Sequence, residues 1–153
     1  MPLRMPLLSG RRSAAIAKII RRVAAKRQMT DYEVALVMAD VFEGIIGDVA
    51  MGLPVTVPGF GMFAAVRWEP RVRDVAPYAA PRFAPSHVFR QDVRATCSSC
   101  PASAEDFARF CRQSHVTHYG KENGKAQRAR AITFFRRFRE NVRAQARKEG
   151  RDV

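Results

Sequence analysis

Apolar positions set the outline of the chain. Ile16, Ile19, Ile20 and Val23 fall at i, i+3, i+4 and i+7, one stripe that predicts a helix from Ser13 to Arg27. Pro6 and Gly10 precede it, and residues 1–12 are expected to form a flexible arm. Thr30-Asp31-Tyr32-Glu33 reads as a capping box, in which the Thr30 hydroxyl accepts from the Glu33 amide and the Glu33 carboxylate accepts from the Thr30 amide. A long helix, Asp31 to Met51, is predicted behind it, with Gly52 as its stop. Val34, Val37, Met38, Val41, Phe42, Ile45, Ile46 and Val49 give this helix an apolar face wider than one small sheet needs. Such a face points to burial against a second copy.

From Val55 the period shortens. Val55 and Val57 alternate with Thr56, and Gly59 and Gly61 permit the backbone angles of a tight turn. Phe63 to Trp68 is a second strand. Residues 69–82 hold Pro70, Pro77 and Pro81, which a central strand would not tolerate, so this stretch is an edge, an arm or a loop. Pro85-Ser86 starts a short helix that runs to Arg94. Residues 96–101 look like a boundary. Ser103 caps a further helix, expected to reach about His118, with Glu105 and Asp106 at its positive end. Lys125 to Lys148 is a final basic helix carrying Ile132, Phe134, Phe135, Phe138 and Val142.

Charge sharpens the picture. The 153 residues carry a formal net charge of +13, which points to a polyanion, nucleic acid before an anionic membrane. The surplus sits at the ends: residues 1–27 hold +8 and residues 121–153 hold +7, while residues 28–95 come to −2. The Arg-rich, acid-free N-terminus also suits a mitochondrial transit peptide. A basic first helix is preferred, because its apolar stripe continues into the fold. No apolar run approaches the ~18 residues of a membrane span, and no amphipathic helix with Trp anchors suggests a membrane surface. Three cysteines without a secretory signal suit a reducing compartment. No Ser/His/Asp grouping, P-loop or paired carboxylates appear, so an enzyme is not expected.

The stretches "MTDYEVALVMADVFEGIIGDVAMGLPVTVPGFGMF" (29–63) and "APRFAPSHVFRQDV" (80–93) resemble the bacterial HU and integration host factor family of DNA-bending proteins. The resemblance covers about residues 13–95. It implies an α+β fold: two N-terminal helices, a short antiparallel sheet with an arm, and a short helix, in an intertwined dimer. It also implies that Phe60 and Phe63 pack in the core and that the ribbon arm enters the DNA minor groove, where an apolar wedge kinks the duplex. The chain departs from the family at the arm. Phe63 and Phe83 are closer in sequence than in the usual ribbon, and the tip motif Arg-Asn-Pro is absent, which leaves bending by the arm open.

The expected organisation is therefore a flexible arm (1–12), an HU-like domain (13–95) and a C-terminal helical extension (96–153). The expected function is largely sequence-nonspecific binding of DNA, with RNA as an alternative. Arg67, Arg71, Arg73 and Arg82 would line the arm, and Lys18, Arg21, Arg22, Arg90, Arg137 and Arg143 would contact phosphates elsewhere. A homodimer or HU-like heterodimer in the cytoplasmic nucleoid follows. The alternative is the same fold reused as a structural subunit of a large assembly, a phage virion or an organellar ribosome, with the virion or mitochondrial matrix as its location.

One feature lies outside the resemblance. Cys97-x-x-Cys100 is followed by Cys111 and His115, four residues apart and so on one helix face. The set has the softness and number for tetrahedral Zn²⁺, with His118 as a substitute ligand. Buried cysteines and a surface histidine are the alternative, and no thioredoxin-like pattern supports a redox role.

Overall fold

The computed structural model describes residues 14–69, 76–97, 102–109 and 130–153. In chain order the elements are α1 (Ala14–Arg27), α2 (Asp31–Ala50), β1 (Val55–Val57), β2 (Gly61–Trp68), β3 (Tyr78–Pro85), α3 (His87–Thr96), α4 (104–109) and α5 (Arg130–Lys148). The class is α+β, as the resemblance implies, with an added C-terminal helix where the sequence pattern placed one. The expected arm at 1–12, and the stretches 110–118 and 125–129 of the two later helices, lie outside the described residues.

The chain forms two compact units, one of residues 1–46 and 129–153, the other of residues 47–128. The first is helical. Its α1–α2 turn is very short, and the local chemistry explains why. Gln28 takes a left-handed conformation (φ 54°), and the Met29 amide donates back to the Ala24 carbonyl at 3.0 Å, ending α1. The capping box then starts α2. The Thr30 amide donates to Glu33 Oε2 at 2.7 Å, and the Glu33 amide donates to Thr30 Oγ1 at 3.2 Å. At the other end, the amides of Gly52 and Leu53 take the carbonyls of Val49 and Asp48, each at 3.0 Å.

The core of this unit joins Ile20 of α1, Tyr32, Ala35 and Ala39 of α2, and Phe138, Val142 and Ala146 of α5. Three residues at i, i+4 and i+8 on α5 thus join the Tyr32, Ala35 and Ala39 side of α2 in one buried cluster. Arg139 of α5 bonds Asp40 at 3.1 Å and also Glu43, one turn apart on α2. Of the wide apolar face singled out in the sequence, Val34 and Met38 pack against this core and Val49 is buried, whereas Val37, Val41, Phe42 and Ile46 stay exposed. Val37 and Val41 are 55% and 54% exposed in the single chain, in keeping with a face reserved for a second copy.

The second unit carries a three-stranded antiparallel sheet of order β1-β2-β3. Gly59 turns the chain with φ 76°, and Gly61 opens β2 against β3. A Cβ at Gly61 would lie 2.5 Å from the Ala84 carbonyl oxygen, so the pairing there tolerates only glycine. β2 begins two residues before the expected Phe63. The proline-bearing stretch is in part a real strand: β3 holds Pro81 opposite Ala65 and Pro85 opposite Gly61, and it is an edge. Phe60, Phe63, Phe83 and Phe89 cluster, with ring centroids 4.8 Å apart for Phe63–Phe83 and 5.3 Å for Phe60–Phe89. Phe60 and Phe63 therefore pack with other rings, although Phe60 stays 43% exposed in the single chain. Ser86 caps α3 by accepting from the Phe89 amide at 3.1 Å, and Ser103 caps α4 by accepting from the Asp106 amide at 3.1 Å.

Candidate nucleic-acid interface

Helical periodicity divides the cations of the first unit from its core. Lys18 and Arg22 are one turn apart on the side of α1 opposite buried Ile20 and Ala24, with Arg21 beside them, and all three are exposed. On α5, Phe138, Val142 and Ala146 face inward, which sends Arg136, Arg143 and Arg147 outward at i, i+7 and i+11. Arg137 is exposed on a neighbouring row with Lys148. Each basic helix thus keeps these charges in water on the side away from its buried residues, Ile20 and Ala24 of α1 and Phe138, Val142 and Ala146 of α5, while Ile19, Val23 and Phe134 stay exposed. Lys and Arg held this way can meet phosphates without breaking a fold contact.

Arg139 is different. It belongs to the same basic run in the sequence, yet its side chain is spent on the acids of α2. The hydrogen bond to Glu43, then the charges of Glu43 and Asp40, hold its guanidinium still more firmly protonated. It is a fold contact, not a phosphate contact.

In the second unit, Arg67 pairs with Glu69 at 3.3 Å with both side chains largely exposed, a contact that a phosphate could displace. The Arg82 guanidinium carbon lies 5.1 Å from the centroid of the Trp68 ring. Arg90 Nε donates to the Pro85 carbonyl at 3.2 Å, which seats it at the start of α3. An open depression of about 380 Å³, lined by Ala65, Val66, Arg67, Pro77, Tyr78 and Ala79, lies along the end of the β2–β3 ribbon. Arg71 and Arg73 lie outside the described residues.

Residues 15–94 match the family model for bacterial DNA-binding protein. The chain belongs to this family, the HU family. Its members bind DNA, are nucleoid-associated, typically form dimers, and are architectural proteins rather than enzymes. Among solved structures, the chain is similar to a valine-to-isoleucine mutant of HU from Thermotoga maritima. That likeness has 26% identity and a TM-score of 0.40, over 50% of this chain and 93% of the other. No curated protein matches the chain.

The HU-family segment ends near the Cys-x-x-Cys motif. Cys97 is the C-cap of α3, exposed, with its amide donating to the Val93 carbonyl at 3.0 Å. Cys100, Cys111 and His115, the other candidate zinc ligands, and His118 lie outside the described residues. Among the described residues no helix is long and apolar enough to cross a membrane. Two features escaped the sequence reading. One is the Tyr32/Ala35/Ala39 face of α2, because alanine carries little signal in a hydropathy pattern. The other is the Trp68–Arg82 contact, which depends on strand register.

Proposed function

We propose that this chain is a dimeric, largely sequence-nonspecific DNA-binding architectural protein that grips phosphates through exposed cations on α1, α5 and the β2–β3 ribbon. The observation that carries the reading is the segregation of charge on the two basic helices. Their buried residues face the other way, and among the described residues Lys18, Arg22, Arg137 and Arg143 are exposed with no salt bridge, as is Arg21, whose Nε donates to the Ala17 carbonyl. Arg67, Arg82 and Arg90 join them from the second unit, and Arg71 and Arg73 from the adjoining stretch. Membership of a DNA-binding family favours this reading over a structural subunit of a larger assembly, and favours DNA over RNA and the nucleoid over other compartments. Val37 and Val41, exposed on α2, would be covered by the partner copy.

Salt dependence tests it. Removing one phosphate-binding cation should lower the slope of log K against log salt by about 0.9. Arg137→Gln and Arg143→Gln together are expected to reduce the slope, while Arg139→Gln leaves it unchanged and lowers thermal stability. A slope unaffected by the first pair would remove α5 from the interface. Substitution is preferable to truncation, since deleting α5 would uncover the Tyr32/Ala35/Ala39 face.

Zinc belongs to the same proposal. Cys97, Cys100, Cys111 and His115 would hold one Zn²⁺ as a structural knuckle after α3, for which the softness and spacing of the ligands argue. Metal analysis of the purified chain is expected to find one zinc per chain, lost in Cys97→Ser. Absence of zinc after purification without chelator would refute it.

A further inference from the structure

We infer that one dimer of this chain holds two separate duplex segments, one on each α5, and so bridges DNA; the inference rests on the dimeric, DNA-binding reading. The family match ends at residue 94, so α5 lies wholly outside it. This helix is fixed on α2 at both ends. Arg139 meets Asp40 and Glu43, and just past the end of α5 Glu149 bonds Tyr32. Later residues of α5 thus meet earlier residues of α2, and the two helices run antiparallel. Two anchored ends fix which side of α5 faces solvent. Phe138, Val142 and Ala146 are buried. Arg136, Arg143 and Arg147 stand exposed along one flank of the outer side, Arg137 and Lys148 along the other, with the Glu140 carboxylate between them. Among the described residues none of these five cations is in a salt bridge. They spread over about 18 Å of helix. A duplex carries one charge per about 1.7 Å of its axis, so several phosphates lie within that length.

The direction of that basic side relative to the second copy decides what it can hold. At 3.6 residues per turn, Val37 and Val41 sit about 170° around α2 from Tyr32, Ala35 and Ala39. The last three share the buried cluster with α5, and Val37 and Val41 are the exposed residues left for the second copy. α5 and the second copy therefore flank α2 on opposite sides. A two-fold dimer presents the same face from both chains. The order across the dimer is then α5, α2, the second copy's α2 and the second copy's α5. Three helix spacings of roughly 8–10 Å put the two α5 axes about 30 Å apart. Their cations face away from each other. One straight duplex reaches one α5, and wrapping it round to the other needs a sharp bend, costly at a persistence length of about 150 base pairs. Two segments satisfy both helices without bending.

The experiment fixes a biotinylated duplex of about 20 base pairs, too short to fold back round a dimer, to beads. Full-length protein is added, then a second, fluorescent duplex of the same length. Retained protein and captured fluorescence are both read. Capture is expected to rise in proportion to the protein retained. Arg136→Gln, Arg143→Gln and Arg147→Gln together should lower capture per retained protein by about tenfold. Circular dichroism checks that the triple variant is folded. Val41→Glu, which opens the dimer, should abolish capture while some protein is still retained. Protein retained without captured fluorescence would overturn the bridge and leave the DNA reading standing. Undiminished capture by the triple variant would overturn it too, as would capture by a protein that sediments as a monomer, parent or Val41→Glu. Capture confined to species that sediment above the dimer would assign bridging to aggregation and overturn it. No retention of protein on the bead duplex would overturn the DNA reading and the bridge with it.

Discussion

Tyr32 and Glu33 are adjacent in sequence and held in opposite protonation states by their surroundings. The two hydrogen bonds from Thr30, backbone first and hydroxyl second, hold the Glu33 carboxyl below its usual range. Burial, and then a hydrogen bond to Glu149, push the Tyr32 phenol from 10.0 up to about 12. The two shifts act at opposite ends of the pH scale. The Glu33 contribution is full above the pKa of an unfolded carboxyl and is lost as pH falls through the lowered folded value. The Tyr32 contribution is full below its unfolded pKa and is lost as pH rises through the folded value of about 12. Urea midpoints measured across pH are expected to fall at both extremes. Glu33→Gln should flatten the acid limb and Tyr32→Phe the alkaline one. A variant that lowers stability equally at every pH would rule out titration as the cause. The capping box was legible in the sequence because it needs only four consecutive residues. The Glu149 contact was not, since Tyr32 and Glu149 lie near opposite ends of the chain.

At the scale of elements, α5 decides most about the helical unit. Its phenylalanine stripe was visible, but its receiving surface was not: Ala35 and Ala39 are silent in a pattern read from large apolar residues. Phe138 is only 2% exposed, whereas Phe134, one turn earlier, is 45% exposed. Phe138→Ala is therefore expected to cost roughly 3–5 kcal/mol in denaturant unfolding, and Phe134→Ala far less. Equal, small losses would show that α5 is not part of the folded core. The strands divide in the same way. The turn around Gly59 could be read locally, while the pairing of Pro81 with Ala65 and the face shared by Trp68, Tyr78 and Arg82 follow from register alone.

At the scale of the whole molecule, α2 has two apolar sides and a single chain covers one of them. The side with Tyr32, Ala35 and Ala39 meets α1 and α5, and the side with Val37 and Val41 stays open. Leaving several large apolar side chains of one helix in water is costly, and a second copy removes the cost. Sedimentation equilibrium is expected to give twice the 17.2 kDa chain mass. Val41→Glu should shift the protein toward the monomer and weaken DNA binding with it. A monomeric parent that binds DNA undiminished would mean that another surface covers this face.

By itself the sequence determined the order of the helices, the capped starts of α2, α3 and α4, the glycine turn and the confinement of the positive surplus to the two ends. Each of these depends on residues within a turn or a strand of one another, where local hydrogen bonding and backbone sterics decide. The tertiary structure alone decided which side of α2 is filled within the chain, that Arg139 is spent on Asp40 and Glu43 while its neighbours stay in water, and that Trp68 stands opposite Tyr78 under Arg82. Those facts depend on packing and register between segments far apart in the chain, and no local periodicity encodes which distant partner a side chain will meet.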